Sequence, residues 1–139
     1  MTWDEISNGV WTIPASRVKT KVETALPLSK AALKLLAEIP RIQDCPYVFT
    51  ATGRGPITNF SFAKLQLDLA SGVKDWRLHD LRRTARSLMG RARINVDIAE
   101  RCLGHVIPGV RGVYDRHKYI AEMGEAFKAL AKQIDAVVG

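Results

Sequence analysis

The sequence contains few cysteines, no long apolar run and no signal for secretion. Its two cysteines, Cys45 and Cys102, lie far apart and outside any CxxC or HExxH spacing, so we expect neither a metal site nor a disulfide. No apolar run approaches the roughly 20 residues that span a bilayer, and acidic residues near Met1 replace the basic and apolar segments of a signal peptide. These features favour a protein of the reducing cytoplasm with no membrane partner.

Acidic residues are also scarce, because 14 Asp and Glu stand against 21 Lys and Arg, which gives a formal charge of +7. This excess favours a polyanionic partner, and charge alone does not separate nucleic acid from an anionic membrane surface. The 139 residues suffice for one domain with a real core. No internal repeat, low-complexity tract or long linker divides the chain.

The first 28 residues predict a small antiparallel sheet. Residues 4–6 and 10–13 form short strand-like pieces around the turn signal Ser7-Asn8-Gly9. The basic stretch SRVKTKVET then predicts a hairpin connection to a further strand that ends near Leu28. Residues 47–49 are expected to form either a brief strand or a buried extended segment.

The remainder of the chain predicts helices. Ser29 is the expected N-cap of KAALKLLAEI, and Thr58 or Ser61 that of NFSFAKLQLDLA, which Ser71-Gly72 closes. Two more helices are predicted over residues 78–90 and 97–103. The last helix carries one apolar stripe, formed by Ile120, Met123, Phe127, Leu130, Ile134 and Val137. The predicted fold class is α+β, mainly α, with a small N-terminal antiparallel sheet followed by a helical bundle.

Three segments combine side chains suited to phosphate chemistry. In RLHDLRRTARSLMGRAR, His79 and Arg82 are three residues apart and share one helical face. A neighbouring apolar face is expected to anchor this helix through Leu78, Leu81, Ala85 and Leu88. Next, LGH ends with His105, and VYDRH places Tyr114 nine residues after that histidine. Taken alone, an HxxR pair favours a solvated basic face.

In this order and spacing, HDLRRT, LGH and VYDRH resemble the catalytic domain of the tyrosine recombinases, or phage-type integrases. Upstream, WTIPASRVKTKVETALPLS resembles the strand, hairpin and strand that carry the catalytic lysine of the family. The resemblance covers nearly the whole chain from about Trp3, and is greatest to integrases of prophages and integrative islands. It implies a DNA partner and a metal-independent reaction without a cofactor.

The resemblance also implies a role for each matching residue. Tyr114 would attack the scissile phosphodiester, leaving a 3′-phosphotyrosyl link and a free 5′-hydroxyl. Arg82 would bind the non-bridging oxygens, His79 would assist proton movement from the tyrosine, and His105 would donate a hydrogen bond to the phosphate. Lys19 would protonate the departing 5′-oxygen.

General chemistry agrees with these residue types. Tyrosine has an ordinary pKa of about 10 and needs a base or nearby cations to act as a nucleophile near neutral pH. Phosphoryl transfer loads charge onto equatorial oxygens, which a planar guanidinium binds in bidentate fashion.

Several neighbouring residues have weaker assignments. Lys21 lies two residues after Lys19, on the same side of a strand, and is the alternative proton donor. Tyr119 is expected to be a core or boundary residue, because the apolar stripe of the last helix begins there. The tryptophans are expected to pack in the core or on the sheet. Candidate contacts to the DNA backbone are Lys21, Arg83, Arg86, Arg91, Arg93, Arg111 and Arg116.

Members of the resembled family carry a further catalytic arginine before the first strand, and a separate N-terminal DNA-clamping domain. The chain starts at Met1-Thr2-Trp3, so both are expected to lie outside it, and residues 1–139 would form an incomplete catalytic domain. Loss of one phosphate-binding arginine could remove several kcal/mol of transition-state stabilisation. We therefore expect this chain alone to be weakly active or inactive.

Two further interpretations compete with a recombinase. Residues 78–103 can be read as two helices joined by GRARINVD, loosely like the helix-turn-helix of a non-catalytic DNA-binding module. A phosphatase or nuclease acting on small phosphates fits poorly, because the sequence has neither a metal cluster nor a phosphate loop. In the resembled family, the segment after the nucleophile often packs on a neighbouring protomer. The terminal helix is therefore expected either to support a tetramer on DNA or to fold back on its own domain.

Overall fold

A computed structural model describes residues 1–105 and 118–139. Its sheet has three antiparallel strands in the order β1 (Ile6–Ser7), β2 (Val10–Ile13) and β3 (Thr24–Pro27). Trp11 of the central strand pairs with Ile6 on one side and Leu26 on the other. The sheet is confirmed, but Asp4 and Glu5 belong to a short 3₁₀ helix, Trp3–Glu5, rather than to the first strand.

The turn between β1 and β2 confirms the Ser7-Asn8-Gly9 signal. Asn8 and Gly9 both have positive φ, 49° and 74°. Two left-handed residues in a row match the right-handed twist of a tight hairpin, and asparagine and glycine adopt that conformation at least cost.

Five α-helices lie within the described residues: α1 (Lys30–Glu38), α2 (Phe60–Ser71), α3 (Leu78–Arg91), α4 (Val96–Cys102) and α5 (Ile120–Val138). The Ser29 hydroxyl caps α1 by accepting from the Ala32 N–H, as predicted. The cap predicted for α2 was wrong, because neither Thr58 nor Ser61 fills it. Asn59 does, accepting from the Phe62 N–H. The predicted end of this helix is confirmed by Gly72, which has φ 69°.

The core lies where α3, α4 and α5 meet. Its buried members are Met89, Ala99, Cys102, Met123 and Ala126. Around them pack Leu26, Ile94, Ile98, Ile120, Phe127 and Leu130. Since α5 contacts β3, α3 and α4, it joins the sheet to the helical pair that carries the HxxR and LGH segments.

The apolar stripe of α5 divides into two parts. Met123 is buried, and Ile120, Phe127 and Leu130 pack against the core. Near the end of the helix, Ile134 is 43% exposed and Val137 is 66% exposed. The first part of the stripe therefore folds back on its own domain, and the second part does not.

The predicted anchor of α3 was partly wrong. Leu78 is 43% exposed and Leu81 is 60% exposed, whereas Met89 is fully buried. Met89 belongs to the buried core that α3 forms with α4 and α5, whereas Leu78, on the same face in the first turn, does not.

The segment around Cys45 closes the N-terminal end of the domain. Val48 is 2% exposed, Thr2 forms a β-bridge with Tyr47, and the Trp3 N–H donates to the Pro46 carbonyl at 2.9 Å. The prediction of a brief strand or a buried extended segment is met only in part, because Tyr47 forms a single bridge, Val48 is buried, and Phe49 is half exposed. Cys45 and Cys102 are both buried free thiols, in agreement with the prediction of no disulfide.

The tryptophans combine packing with polar contacts. Trp11 is part of β2, the Arg41 guanidinium lies 4.3 Å from the Trp3 ring centroid, and the Lys64 ammonium lies 4.7 Å from that of Trp76. Within residues 1–105 and 118–139, no helix is long and apolar enough to cross a membrane.

Candidate functional site

Helix α3 presents His79 in its first turn and Arg82 one turn later. The helix begins at Leu78 because the Asp80 carboxylate accepts from the Arg77 N–H at 2.8 Å. That backbone hydrogen bond, together with Arg83 at 2.9 Å, holds the pKa of Asp80 below its ordinary value. An acidic residue in the first turn also suits the positive end of the helix dipole. Asp80 therefore fixes the turn from which His79 projects.

The guanidinium of Arg82 reaches across to α4. Its Nη2 donates to the carbonyl of Leu103, the residue that follows the last turn of α4. This hydrogen bond ties the HxxR segment to the LGH segment, although 21 residues separate the two partners. An arginine has five N–H donors, so one bond to a carbonyl leaves others that can bind an anion.

The LGH segment forms a Schellman motif that positions His105. Gly104 has φ 66°, its N–H donates to the Arg101 carbonyl at 2.9 Å, and the His105 N–H donates to the Glu100 carbonyl at 3.0 Å. Glycine is favoured at such a left-handed position because a Cβ atom raises the conformational energy there. The motif thus ends α4 and holds the backbone of His105 at a defined place.

The side chain of Glu100 connects three elements of the site. Its Oε1 accepts from Arg86 Nε at 2.7 Å, and its Oε2 accepts from His105 Nδ1. The hydrogen bonds from His105 and from Arg86 hold the pKa of Glu100 below its ordinary value. The guanidinium of Arg86, a predicted DNA contact, has this carboxylate as a partner, whereas the ion pair of Arg83 with Asp80 is largely exposed.

Lys19 and Lys21 both lie in the connection between β2 and β3. After a 3₁₀ turn, Ala15–Arg17, the chain passes through Lys19 in a hydrogen-bonded turn and Lys21 with φ 56°. Lys19 and Lys21 are both exposed. The prediction that they lie on one side of a strand was therefore wrong, because the segment turns between them.

The start of this connection is held by Glu5. Its carboxylate accepts from Trp11 Nε1 at 3.1 Å, from the Thr2 N–H at 3.1 Å and from Arg17. Partial burial by itself would raise the pKa of Glu5, but the hydrogen bonds from Arg17, Trp11 and Thr2 outweigh it and lower the pKa to about 2. Glu5 thereby fixes the point from which the lysine-bearing turn leaves β2.

The structure brings together part of the predicted site. Arg82 is bonded to the Leu103 carbonyl, two residues before His105, and His79 stands one turn from Arg82 on the same helix. The lysine turn connects to that junction through β3 and α5. Tyr114, Arg111 and Arg116 lie outside the described residues. Among the described residues, no group of three or more His, Cys, Asp or Glu side chains could hold a metal ion.

Sequence reasoning missed Glu100 and Asp80. A Schellman motif brings its last residue next to the residue five positions earlier, so the sequence carried a signal for Glu100. With Gly104 as the left-handed residue, those two positions are Glu100 and His105. The partnership with Arg86 depends on how α3 packs on α4, which spacing does not show.

Comparison with known families agrees with this arrangement. The model of the phage integrase family matches residues 1–119, which covers the sheet, the lysine turn and both helices of the junction. Neither the curated proteins nor the solved structures include a significant match to the chain. Since the family model spans most of its length, the chain belongs to the phage integrase family.

Proposed function

We propose that this chain is the catalytic domain of a site-specific DNA recombinase that cleaves and rejoins strands through Tyr114. The observation that carries the proposal is the junction of α3 and α4, where Arg82 is bonded to the end of the segment that presents His105. Family membership supports it, because the match includes these residues. The proposed partner is double-stranded DNA in the cytoplasm, and the proposed reaction uses no cofactor.

In the proposed reaction, the Tyr114 oxygen attacks the scissile phosphorus and the bond to the 5′-oxygen breaks. Lys19 gives its proton to that oxygen, which leaves as a 5′-hydroxyl, while His79 assists removal of the proton from the tyrosine. Arg82 and His105 donate to the non-bridging oxygens, where charge accumulates in the transition state. Because the phosphotyrosyl ester conserves the bond energy, a 5′-hydroxyl can reverse the step without ATP.

The charge balance at the junction supports phosphate binding. Arg82 binds the Leu103 carbonyl there, and Arg86 and His105 both hydrogen-bond to the carboxylate of Glu100. Arg82 uses one nitrogen for the Leu103 carbonyl, and among the described residues its other nitrogens have no hydrogen bond. A guanidinium has five N–H donors, so one bond to a carbonyl leaves donors that can bind an anion in a fixed orientation.

The non-catalytic alternative receives less support. In a helix-turn-helix reading, α4 would be the helix that enters the major groove. It has seven residues, of which Ala99 and Cys102 are buried, and its charged residues are Asp97, Glu100 and Arg101. Two carboxylates on so short a helix would repel the DNA phosphates. Glu100 is instead hydrogen-bonded to Arg86 and His105.

We further propose, as the family pattern implies, that a second phosphate-binding arginine acts beside Arg82 in the site and that the protein forms a tetramer on DNA. Such an arginine would contribute transition-state stabilisation worth several kcal/mol.

The decisive experiment captures covalent adducts on a pool of duplexes with randomised sequence and a nick that lets the cleaved end diffuse away. The protein is incubated with the pool and denatured, and its bound DNA is sequenced. We expect one sequence family to be enriched in wild-type protein and in a Tyr119→Phe control. Tyr114→Phe should bind the same DNA without forming an adduct. An adduct that persists in Tyr114→Phe would refute the proposal.

A further inference from the structure

Glu100 holds both the backbone and the side chain of His105. The Glu100 carbonyl accepts from the His105 N–H at 3.0 Å, and Oε2 of the same residue accepts from His105 Nδ1. Its other carboxylate oxygen accepts from Arg86 Nε at 2.7 Å. The side chain of Glu100 is 30% exposed and that of His105 is 49% exposed, so the pair lies at the rim of the junction and not inside the core.

We propose that Glu100 is a positioning residue for strand cleavage, which acts by fixing the ring of His105 so that Nε2 faces the phosphate. The inference rests on the proposed function. An imidazole whose Nδ1–H is bound by a carboxylate has a fixed rotation and a fixed proton at that nitrogen. The second nitrogen, Nε2, is then the one available to the substrate.

Arg86 has a supporting part in this arrangement. Its Nε occupies the carboxylate oxygen that His105 does not use, so the carboxylate cannot rotate without losing one of two charge-assisted hydrogen bonds. Arg86 lies one turn after Arg82 on α3, and Arg82 donates to Leu103 two residues before His105. Arg82 therefore binds the backbone at the end of α4, and Arg86 binds the carboxylate of Glu100 in the last turn of that helix.

A solvated ion pair without a catalytic purpose would behave differently. Removal of an exposed acidic group from a protein that binds DNA should strengthen DNA binding and leave the chemistry unchanged. A positioning role instead predicts that removal of the Glu100 carboxylate slows cleavage and does not weaken DNA binding. Glu125 provides the matched control, because it is an exposed glutamate with a basic partner, Lys128 at 3.5 Å.

The test measures single-turnover cleavage of the selected duplex, with DNA affinity measured separately. We expect Glu100→Ala to slow cleavage roughly 10- to 100-fold without weakening binding, and Glu125→Ala to match wild type. Glu100→Gln keeps an oxygen that can accept from Nδ1, so it should recover part of the rate. In a His105→Ala background, Glu100→Ala should cause no further loss.

A second measurement follows the histidine directly. In ¹⁵N-labelled residues 1–139, the ring signals of His105, assigned by their absence in His105→Ala, should show a proton held on Nδ1. Glu100→Ala should shift those signals, while Glu125→Ala should not. The inference would be overturned if Glu100→Ala cleaved at the wild-type rate, or if it slowed cleavage equally in the wild-type and His105→Ala backgrounds. Either result would leave the proposed function intact. Failure of any Tyr114-dependent adduct in wild-type protein would overturn both.

Discussion

The guanidinium of Arg101 lies 4.3 Å from the ring centroid of Tyr119. This contact joins α4 to the residue that precedes α5, so it links the two described ends of the chain on either side of residues 106–117. Tyr119 is partly buried, which agrees with its predicted place at the boundary of the core. The two tyrosines near the end of the chain therefore have separate assignments: Tyr119 in packing, and Tyr114 in the proposed chemistry.

The ring of Tyr119 should contribute measurably to stability. Tyr119→Phe keeps an aromatic face under Arg101, whereas Tyr119→Leu removes it. Because a cation–π contact at a partly exposed site contributes about 0.5–1 kcal/mol, we expect Tyr119→Leu to be less stable than Tyr119→Phe by that amount. Urea unfolding of both variants measures the difference. Equal stability of the two would show that the contact contributes nothing.

The proton donor can be assigned to Lys19 or Lys21 by changing the leaving group. A thiol has a pKa of about 8.5, so a 5′-sulfur leaves as thiolate without a proton, whereas a 5′-oxygen needs one. We expect Lys19→Ala to slow cleavage of the oxygen substrate roughly 100-fold and to cleave the sulfur substrate at nearly the wild-type rate. Lys21→Ala is the matched control, because both lysines are exposed in the same turn. If the 5′-sulfur substrate restored the cleavage rate of Lys21→Ala and not that of Lys19→Ala, Lys21 would be the proton donor.

Glu5 should make stability depend on pH in the acidic range. Its pKa is lowered from 4.5 to about 2 in the folded chain, so its contribution is present above pH 4.5 and is lost as the pH falls toward 2. We expect Glu5→Gln to lower the free energy of unfolding by about 1–2 kcal/mol at pH 7, allowing for solvent screening. That difference should shrink steadily below pH 4.5.

Urea unfolding at several pH values, with the exposed Glu38→Gln variant as control, provides the measurement for Glu5. A difference between wild type and Glu5→Gln that stays constant down to pH 2 would contradict the ionic origin of this contribution.

Local patterns predicted much of the fold because they depend on neighbouring residues. Asn8-Gly9, Ser29 and Gly72 each act through backbone conformation or a cap within a few residues, and each lies where the sequence indicated. The cap of α2 was missed because Thr58, Asn59 and Ser61 offer competing acceptors within four positions. Asn59 alone is placed to bind the Phe62 N–H.

Tertiary packing decided the features that the sequence did not predict. The apolar residues of α3 lie on more than one face, and contact with α5 selects Met89 for burial over Leu81. The bonds of Arg82 to Leu103 and of Arg86 to Glu100 span 21 and 14 residues. Such pairs require the angle between two helices, which the periodicity of each helix does not contain. The sequence did not predict the partners that hold Arg82 and His105, which are Leu103 and Glu100.

The end of α5 provides the test of self-association. Deletion of residues 121–139 would remove Met123 and Ala126 from the core, so it would unfold the domain whatever its role in assembly. Deletion of residues 134–139 removes Ile134, Val137 and Val138, which are 43%, 66% and 76% exposed. We expect the shorter deletion to leave the melting temperature within a few degrees of wild type and to abolish the proposed tetramer on DNA.

Light scattering of the protein on the selected duplex measures this assembly. Substitution of Val137 by Ser should weaken the tetramer with the helix still in place, because an exposed apolar side chain contributes to association only when a partner covers it. Glu125→Ser is the control, since Glu125 is also exposed and lies off the apolar stripe. A tetramer that survives deletion of residues 134–139 would place the contact between protomers elsewhere on the domain.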